Sequence, residues 1–185
     1  MIEVEIKLPI NDKEKLCEKL LLRDFCKGKT YKETDVYFNR NDCDLRKSDE
    51  ALRVRKTIDS DTGETKSVLT YKGPKLDSIS MSRKEIEVSL DNPEGMKEIL
   101  VSLGFSPVIP VVKTRVYFKR YYMTAAVDEV QGLGTFLELE ILVDDESRHE
   151  DALSIIKYEL SKLGYSFEST ITTSYLSMLE GRTKD

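Results

Sequence analysis

The sequence has few of the residues that build covalent or histidine-based sites. Its 185 residues include three cysteines and a single histidine. Cys17, Cys26 and Cys43 are not spaced as metal ligands, and their odd number argues against a disulfide framework. His149 lies where a helix is expected to begin and is predicted to be exposed. Catalytic triads and histidine metal sites therefore have little support.

Long apolar runs and phosphate-binding loops are also missing. No apolar run approaches the length that crosses a bilayer, and the N-terminus is acidic rather than a basic segment followed by a hydrophobic one. No Gly-x-x-x-x-Gly-Lys loop occurs, and Gly132-x-Gly134 lacks the third glycine of a dinucleotide-binding loop, which favours a turn. These absences predict a soluble protein of a reducing cytoplasm, with no membrane partner and no P-loop.

Charge is what the chain has in surplus. Charged residues make up 34% of the sequence and apolar residues 39%, whereas charged residues usually make up about a quarter. The surplus must lie on a large surface or in a polar interior. The net charge of -5 argues against non-specific binding of nucleic acid. The length predicts one domain over residues 1–185, large enough to bury a core.

Charged and aliphatic residues alternate in the first strand-like segment. Glu3, Glu5 and Lys7 share one face, and the aliphatic side chains between them share the other. Two carboxylates one strand-step apart suit a hard divalent cation, and the lysine beside them suits a phosphate. Glu138-Leu139-Glu140 repeats the alternation near the other end. We expect these two acidic strands to face each other across a charged cavity that binds a metal ion and a polyphosphate chain.

The remaining pattern predicts about eight strands and three longer helices. Further strands are expected at about 30–39, 51–56, 67–72, 82–90, 111–120, 121–130 and 136–141. Helices are expected after Asn11 or Asp12, after Asn92 and from about Ser147, and the second is expected to bury Met96, Ile99, Leu100 and Leu103. Pro9 and Pro74 are expected to end their strands. Many strands with short turns favour an α+β fold built on an antiparallel sheet or closed barrel.

At least five of these strands carry charges that are sorted by sign. Acidic pairs are Glu3/Glu5, Glu85/Glu87 and Glu138/Glu140, and basic positions are Arg53/Arg55, Lys72 and Lys113/Arg115. A single alternating strand most often turns its charges to water, but a solvated sheet needs no sorting. A barrel would account for the sorting if its interior were lined with charges of both signs and its apolar outer face were covered by helices. The two signs could also neutralise each other as a structural network, above all Arg83, Glu85 and Glu87.

A nucleoside or inorganic triphosphate suits such a cavity. Its phosphate chain carries about four negative charges, more than one cation can neutralise in a partly dry site. Arginine supplies bidentate donors and lysine supplies point charges. Mg²⁺ or Mn²⁺ would bridge phosphate oxygens to carboxylates. Tyrosines 31, 37, 117, 121 and 122 are expected to pack in the barrel wall rather than stack on RNA, although one could border a base.

Seven blocks of the sequence occur in the order in which CYTH proteins, the triphosphate tunnel metalloenzymes, carry them. They are Glu3-x-Glu5-x-Lys7, Asp35-Val36-Tyr37-Phe38, Leu52-Arg53-Val54-Arg55, Leu69-Thr70-Tyr71-Lys72-Gly73-Pro74, Ser82-Arg83-Lys84-Glu85-Ile86-Glu87, Lys113-Thr114-Arg115 and Asp128-Glu129-Val130 with Glu138-Leu139-Glu140. The resemblance covers about residues 1–175. The Tyr-Lys-Gly-Pro-Lys block and the Asp-Glu-Val-x-Gly-Leu-Gly turn most resemble the class IV adenylate cyclase branch.

The resemblance implies a closed, eight-stranded antiparallel β-barrel, a tunnel, with helices packed outside. By matching position, the metal would be held by Glu5 and Glu138 or Glu140, with Glu3 assisting. The triphosphate would be gripped by Lys7, Arg53, Arg55, Lys72, Lys113 and Arg115, with Arg83 as a further candidate. Asp128 would lie near the reacting end, and Lys7, Asp128 and Arg115 are the candidates for catalysis.

Branches of this family share the cage and differ in substrate, so the resemblance implies more than one activity. The leading hypothesis is an adenylate cyclase, in which the ribose 3′-hydroxyl of ATP attacks the α-phosphorus and pyrophosphate leaves. A triphosphatase acting on tripolyphosphate or thiamine triphosphate is the rival, and a binding protein without turnover is the third hypothesis. Asp128, a metal-bound hydroxide and solvent all stay open as the general base. The expected partner is a small-molecule triphosphate, and a homodimer stays open.

Overall fold

The computed structural model of this chain describes residues 2–182 and contains nine β-strands and four α-helices within them. The strands are β1 (Ile2–Ile10), β2 (Cys26–Asn39), β3 (Ala51–Asp59), β4 (Thr65–Lys75), β5 (Arg83–Ser89), β6 (Ser106–Pro107), β7 (Val111–Arg120), β8 (Met123–Val130) and β9 (Gly134–Val143). The helices are α1 (Lys13–Leu22), α2 (Pro93–Ser102), α3 (His149–Lys162) and α4 (Tyr175–Arg182), and short 3₁₀ turns span Glu146–Arg148 and Phe167–Ser169. None of the described helices is long and apolar enough to cross a membrane.

Eight of the strands form a closed antiparallel barrel. Its strand order is β3-β4-β5-β1-β9-β8-β7-β2, and pairing between β2 and β3 closes the circle. The two-residue strand β6 is an addition that pairs with the end of β2. The predicted eight-stranded antiparallel barrel with external helices is therefore confirmed. Its shortest seam lies between β1 and β5, which pair only at Ile2 and Glu3.

Two prolines lie inside strands that they were expected to end. Pro9 belongs to β1, which pairs with β9 along its whole length but meets β5 only at its first two residues. On the edge of β1 that faces away from β9, no described strand pairs at Pro9, so no strand lacks a hydrogen-bond donor there. Pro74 lies in β4 where the register with β5 shifts between Lys72 and Lys75. An interrupted ladder tolerates a residue without an N–H, so both strands continue.

The outer face of the barrel carries the aliphatic half of each alternation. Val4, Ile6 and Leu8 are fully buried in a cluster that α1 and α3 cover. A second outer cluster, built around Val54 and Leu100, lies beneath α2. Burial of this aliphatic surface is the main force that holds the strand faces in place, because a one-residue slip would move every charge to the core.

Three expectations about the outer surface are wrong in detail. Ile99 and Leu103 of the predicted stripe on α2 are 53% and 61% exposed. The helix contacts β3 and β6 and turns only Met96 and Leu100 toward the barrel. His149 is not exposed either, because its side chain is mostly buried and its Nε2 lies 3.0 Å from Oδ2 of Asp77. The loop before β5 folds back over the start of α3, which no local pattern indicates.

A third apolar cluster fills one end of the barrel. It consists of Val111, Val130, Phe136, Tyr175 and Leu176. The first three belong to strands β7, β8 and β9, and the last two open helix α4. The C-terminal segment thus packs against the inner ends of the strands, beside the charged interior.

Candidate active site

The charged faces of the strands line one cavity of about 1020 Å³ inside the barrel. All of the predicted site residues except Asp128 border it. They are Glu3, Glu5, Lys7, Arg53, Arg55, Lys72, Arg83, Lys113, Arg115, Glu138 and Glu140. The sorted charges therefore point inward together, because the aliphatic side chains that alternate with them pack outward beneath the helices.

The acidic residues form one wall of the cavity, because β1 and β9 are neighbours. Their antiparallel register places Glu5 opposite Glu140 and Lys7 opposite Glu138. The expectation that the two acidic strands face each other across the cavity is wrong. Alternation reveals which side chains share a face but not which strands pair. We call Glu3, Glu5, Glu138 and Glu140 the acidic wall.

Negative charge at the acidic wall exceeds what the protein itself neutralises. Burial, the charge of Glu3 and a hydrogen bond with Glu3 raise the pKa of Glu140 to about 8. Burial and then the charges of Glu138 and Glu3 raise the pKa of Glu5 well above its usual value. Burial alone would raise the pKa of Glu3, but the charge of Lys72, hydrogen bonds with Glu85 and Glu140 and the charge of Arg53 together lower it. Lys72 lies 3.4 Å from Glu3 and also pairs with Glu85. Carboxylates that retain protons in this way favour an added cation.

The acidic wall fits a hard divalent cation by its donor chemistry. Neither Glu5 nor Glu140 forms an ion pair with a lysine or arginine of residues 2–182. No three carboxylate, thiol or imidazole side chains in that part of the chain already converge as metal ligands. Mg²⁺ usually takes only one or two carboxylates and completes its shell with water and phosphate oxygens. Glu5 with Glu138 or Glu140, assisted by Glu3, can supply such ligands by rotation of side chains.

Arginines on β3 face the acidic wall across the barrel, because β3 and β9 lie four strands apart in the closed circle of eight. Arg55 is held by Asp35 through Nε at 2.6 Å and Nη2 at 2.7 Å, and Arg53 Nη1 lies 3.4 Å from the same carboxylate. Although burial opposes it, the charges of Arg55 and Arg53 lower the pKa of Asp35. Glu33 lies 3.1 Å from Arg55. We call Arg53, Arg55, Lys72, Lys113 and Arg115 the basic wall.

Asp128 lies beneath the basic wall rather than on the cavity surface. It is fully buried, and its carboxylate accepts from Lys113 Nζ at 2.9 Å and from Arg115 Nε and Nη2 at 2.5 Å each. Arg115 also donates to Glu138. This geometry suits a residue that positions two cations, and the Asp128 carboxylate does not line the cavity.

Lys7 is the least neutralised of the predicted triphosphate ligands. Its side chain is 2% exposed and makes no ion pair within residues 2–182, and its Nζ lies 4.4 Å from the ring centre of Tyr175. Burial lowers the pKa of Lys7, while the charges of Glu138 and Glu5 oppose that effect. An ammonium group in this setting has donors left for an anionic ligand.

Arg83 borders the cavity but is tied to the backbone. It donates to the carbonyl oxygens of Gly73 at 3.1 Å and Asp49 at 3.2 Å. It therefore clamps the irregular end of β4 and the loop before β3. Its three hydrogen bonds, the third from Nε to the carbonyl oxygen of Met81 at 3.4 Å, all go to the backbone, whereas those of Arg115 go to carboxylates.

Tyrosines mark one mouth of the cavity. Tyr31 and Tyr117 pack edge to face with ring centres 5.8 Å apart, and Thr124 and Leu142 line the same end. Tyr31, Tyr37 and Tyr117 lie in the barrel wall and border the cavity, whereas the expectation of wall packing is wrong for Tyr121 and Tyr122, which are 94% and 63% exposed. Residues 121 and 122 lie at an exposed turn between β7 and β8.

Sequence reasoning missed three residues that shape the site. Glu33 and Asp35 share the inward face of β2 with Tyr31, so the alternation of side chains along this strand could have placed both carboxylates inside the barrel. Tyr175 enters the cavity from the C-terminal segment. No periodicity indicates that entry, because it depends on how the segment packs after α3.

Comparisons with known proteins agree with this geometry. A family model described as the CYTH domain matches residues 1–175. A Methanocaldococcus jannaschii protein named "Putative adenylate cyclase" is 42% identical over 178 residues, which are 96% of this chain and 98% of the relative. The solved structure of the PH1819 protein from Pyrococcus horikoshii OT3 superposes with a TM-score of 0.89 at 35% identity, covering 97% of this chain and 99% of that one.

A more distant solved structure has the same fold. It is the structure of HpAC1 from Hippeastrum, a protein named "Putative adenylyl cyclase" that is described as having a dominant triphosphatase activity. The TM-score is 0.66 at 20% identity, over all of this chain and 96% of that one. At this identity the likeness concerns the fold alone.

Proposed function

Because this chain belongs to the CYTH family of enzymes, we propose that it is a metal-dependent adenylate cyclase that converts ATP to cyclic AMP and pyrophosphate. One observation carries the proposal: the acidic and basic walls line a single cavity. Tyr31 and Tyr117 border one opening of this cavity, which we call the aromatic mouth. The name of the Methanocaldococcus jannaschii relative supports the same reaction.

The basic wall would bind the triphosphate chain. Its five cations and Lys7 provide donors for phosphate oxygens, and arginines form the stronger bidentate contacts. Asp35 and Asp128 hold four of these cations in fixed positions. Donors held in advance of binding stabilise charge without reorganising during the reaction. Lys113 and Arg115 would thereby stabilise the charge that develops on the departing pyrophosphate.

The acidic wall would hold Mg²⁺ or Mn²⁺ through Glu5 and Glu138 or Glu140, with Glu3 assisting. The ion would supply positive charge to phosphate oxygens. In the proposed step the 3′-hydroxyl oxygen of the ribose forms a bond to the α-phosphorus and its proton passes to solvent. The bond from that phosphorus to the oxygen that bridges to the β-phosphorus breaks, and pyrophosphate leaves with that oxygen. Asp128 keeps the Lys113 and Arg115 donors aimed into the cavity, while bulk water is limited by the enclosing barrel.

The aromatic mouth favours an organic triphosphate over bare tripolyphosphate. Tyr31 and Tyr117 offer ring surfaces and Leu142 is an exposed apolar side chain beside them. Thr124 lies opposite Glu140 in the strand register, so this mouth adjoins the acidic wall. An adenine base placed there would extend its triphosphate toward Lys7 and Lys113. Stacking of a base on an aromatic ring stabilises binding by about 1–3 kcal/mol.

Product analysis tests the proposed reaction. The purified protein is incubated with ATP and either Mg²⁺ or Mn²⁺, and the products are separated by chromatography. We expect cyclic AMP and pyrophosphate in equal amounts, and no product in EDTA. ADP with orthophosphate as the only products would contradict the cyclase and assign the chain to the hydrolases of the family.

The second candidate function is a metal-dependent triphosphatase, in which water attacks the terminal phosphorus. The dominant triphosphatase activity described for the Hippeastrum protein of the same fold favours testing it. Tripolyphosphate and thiamine triphosphate belong in the same assay. A faster release of orthophosphate from either compound than of cyclic AMP from ATP would make this the principal activity.

A further inference from the structure

The C-terminal segment places the Tyr175 side chain at the end of the cavity next to the third apolar cluster. Tyr175 is the first residue of α4, and its ring packs edge to face against Phe136 with 5.0 Å between ring centres. The segment before it is anchored by a hydrogen bond of 2.7 Å from the N–H of Ile171 to the carbonyl oxygen of Lys7. These contacts hold the Tyr175 ring in a defined place at the cavity surface.

The ring of Tyr175 is packed, but its hydroxyl group is not satisfied. The residue is 7% exposed, and the hydroxyl oxygen has no hydrogen-bond partner within residues 2–182. The Glu138 carboxylate lies nearby, and this hydroxyl is one of the groups that lower the pKa of Glu138 against the effect of burial, after the charges of Arg115, Lys113 and Lys7. The two side chains do not meet hydrogen-bond geometry in this structure, and the carboxylate accepts from Arg115. Buried polar groups are nearly always hydrogen-bonded to protein or water, so an unpaired hydroxyl at a cavity surface has a donor available to a molecule in the cavity.

The surroundings of this hydroxyl select the chemistry of the ligand. The ammonium groups of Lys7 and Lys113 lie 4.4 Å and 5.4 Å from the centre of the same ring. A phenol O–H and two ammonium groups are all donors. A tetrahedral anion with several acceptor oxygens, such as a phosphate group, can satisfy the three together.

We propose that Tyr175 is a substrate-binding residue whose hydroxyl donates a hydrogen bond to an oxygen of the terminal phosphate, beside Lys7 and Lys113. The inference rests on the triphosphate binding of the proposed function. The terminal phosphate lies at this end because the aromatic mouth at the other end takes the organic group. Helix α4 thereby contributes directly to recognition of a triphosphate rather than only closing the barrel.

Replacement of Tyr175 by phenylalanine removes the hydroxyl and keeps the ring. The matched control is Tyr165→Phe, because Tyr165 also lies near an ammonium group (Lys19 Nζ, 4.6 Å from the ring centre) but packs on the outer cluster. Inorganic tripolyphosphate is titrated into each full-length protein by calorimetry in EDTA, and ATP kinetics are measured with Mg²⁺. Thermal unfolding without ligand verifies the fold of each variant.

We expect Tyr175→Phe to bind tripolyphosphate about tenfold or more weakly, because a hydrogen bond to a charged acceptor is lost. Its KM for ATP should rise, its affinity for ADP should change little, and its Tm should match that of the parent. Tyr165→Phe should bind like the parent. Equal affinity of Tyr175→Phe and the parent for tripolyphosphate would overturn the inference. A parent that binds tripolyphosphate neither in EDTA nor with Mg²⁺ would overturn the proposed function as well, whereas a parent that binds it but forms no cyclic AMP would overturn the cyclase alone.

Discussion

At the scale of single residues, the interior separates cations with fixed partners from carboxylates without them. Arg55 and Arg115 have buried acidic partners at 2.5–2.7 Å. Glu5 has no such partner and experiences the charges of Glu138 and Glu3. Removal of a paired group and removal of an unpaired one should therefore affect stability in opposite ways.

Asp128→Asn should destabilise the protein by about 3–5 kcal/mol, because it leaves Lys113 and Arg115 buried without their common partner. Glu129→Gln is the matched control at the next position, since Glu129 pairs with Lys13 at an exposed site. Its cost should be below about 1 kcal/mol. Urea unfolding measures both values. Similar costs for the two variants would show that Asp128 does not support the basic wall.

Glu5→Gln should abolish metal-dependent turnover without loss of stability. The substitution removes an oxygen ligand of the proposed ion and relieves repulsion at the acidic wall. Glu18→Gln on the exposed face of α1 is the control. Activity with Mg²⁺ and the Tm of each variant are measured. Retention of parental activity by Glu5→Gln would exclude Glu5 from the metal site.

At the scale of elements, buried contacts join helices to the barrel and determine how the strand ends are placed. Glu159 of α3 accepts hydrogen bonds from Arg23, just after α1, and from Arg120 at the end of β7. Burial alone would raise the pKa of Glu159, but the hydrogen bonds from Arg23 and Arg120 outweigh it and lower the pKa. This cluster links α1, α3 and β7.

The Glu159 cluster should make stability depend on pH in a defined direction. Since the pKa of Glu159 is lower in the folded than in the unfolded protein, its contribution is complete above the unfolded value of about 4.3 and falls as acid protonates it. The difference in unfolding free energy between the parent and Glu159→Gln should be largest near pH 6–7 and shrink toward pH 3. A difference that stays constant over this range would contradict the assignment.

Two glycines near helix ends should respond oppositely to alanine. Gly104 follows α2 with a φ of +87°, where a side chain is strained although nothing crowds it. Gly104→Ala should cost about 1 kcal/mol. Gly181 lies at an exposed position near the end of α4 with open space around it, so Gly181→Ala should stabilise by about 0.4–1 kcal/mol. Unfolding free energies of the two variants measure this contrast, and shifts of the same sign would contradict it.

At the scale of the whole molecule, local alternation determined what could be predicted from the sequence. Glu5, Arg53 and Glu138 were assigned to inward faces correctly, because each lies between aliphatic neighbours that pack in the outer clusters. The adjacency of β1 and β9 depends on pairing over more than 120 residues, which alternation does not encode. The entry of Tyr175 depends likewise on long-range packing.

The aromatic mouth distinguishes substrates by their organic group. Tyr31→Ala should raise the KM for ATP by about tenfold, through loss of about 1–3 kcal/mol of stacking, and leave tripolyphosphate binding nearly unchanged. Tyr121→Ala, at the exposed turn after β7, is the control. Kinetics with ATP and titration with tripolyphosphate measure the two effects. An equal loss for both ligands would place the base elsewhere.

The central claim is that a triphosphate and its metal ion occupy the interior of the barrel between the two charged walls. A crystal structure with Mg²⁺ and α,β-methylene-ATP, whose bridging carbon blocks departure of the leaving group, tests it most directly. We expect the phosphates against Arg53, Lys72 and Arg115, the ion on the acidic wall, and the base at Tyr31 and Tyr117. Nucleotide bound only to the outer surface, with the interior unchanged, would contradict the claim.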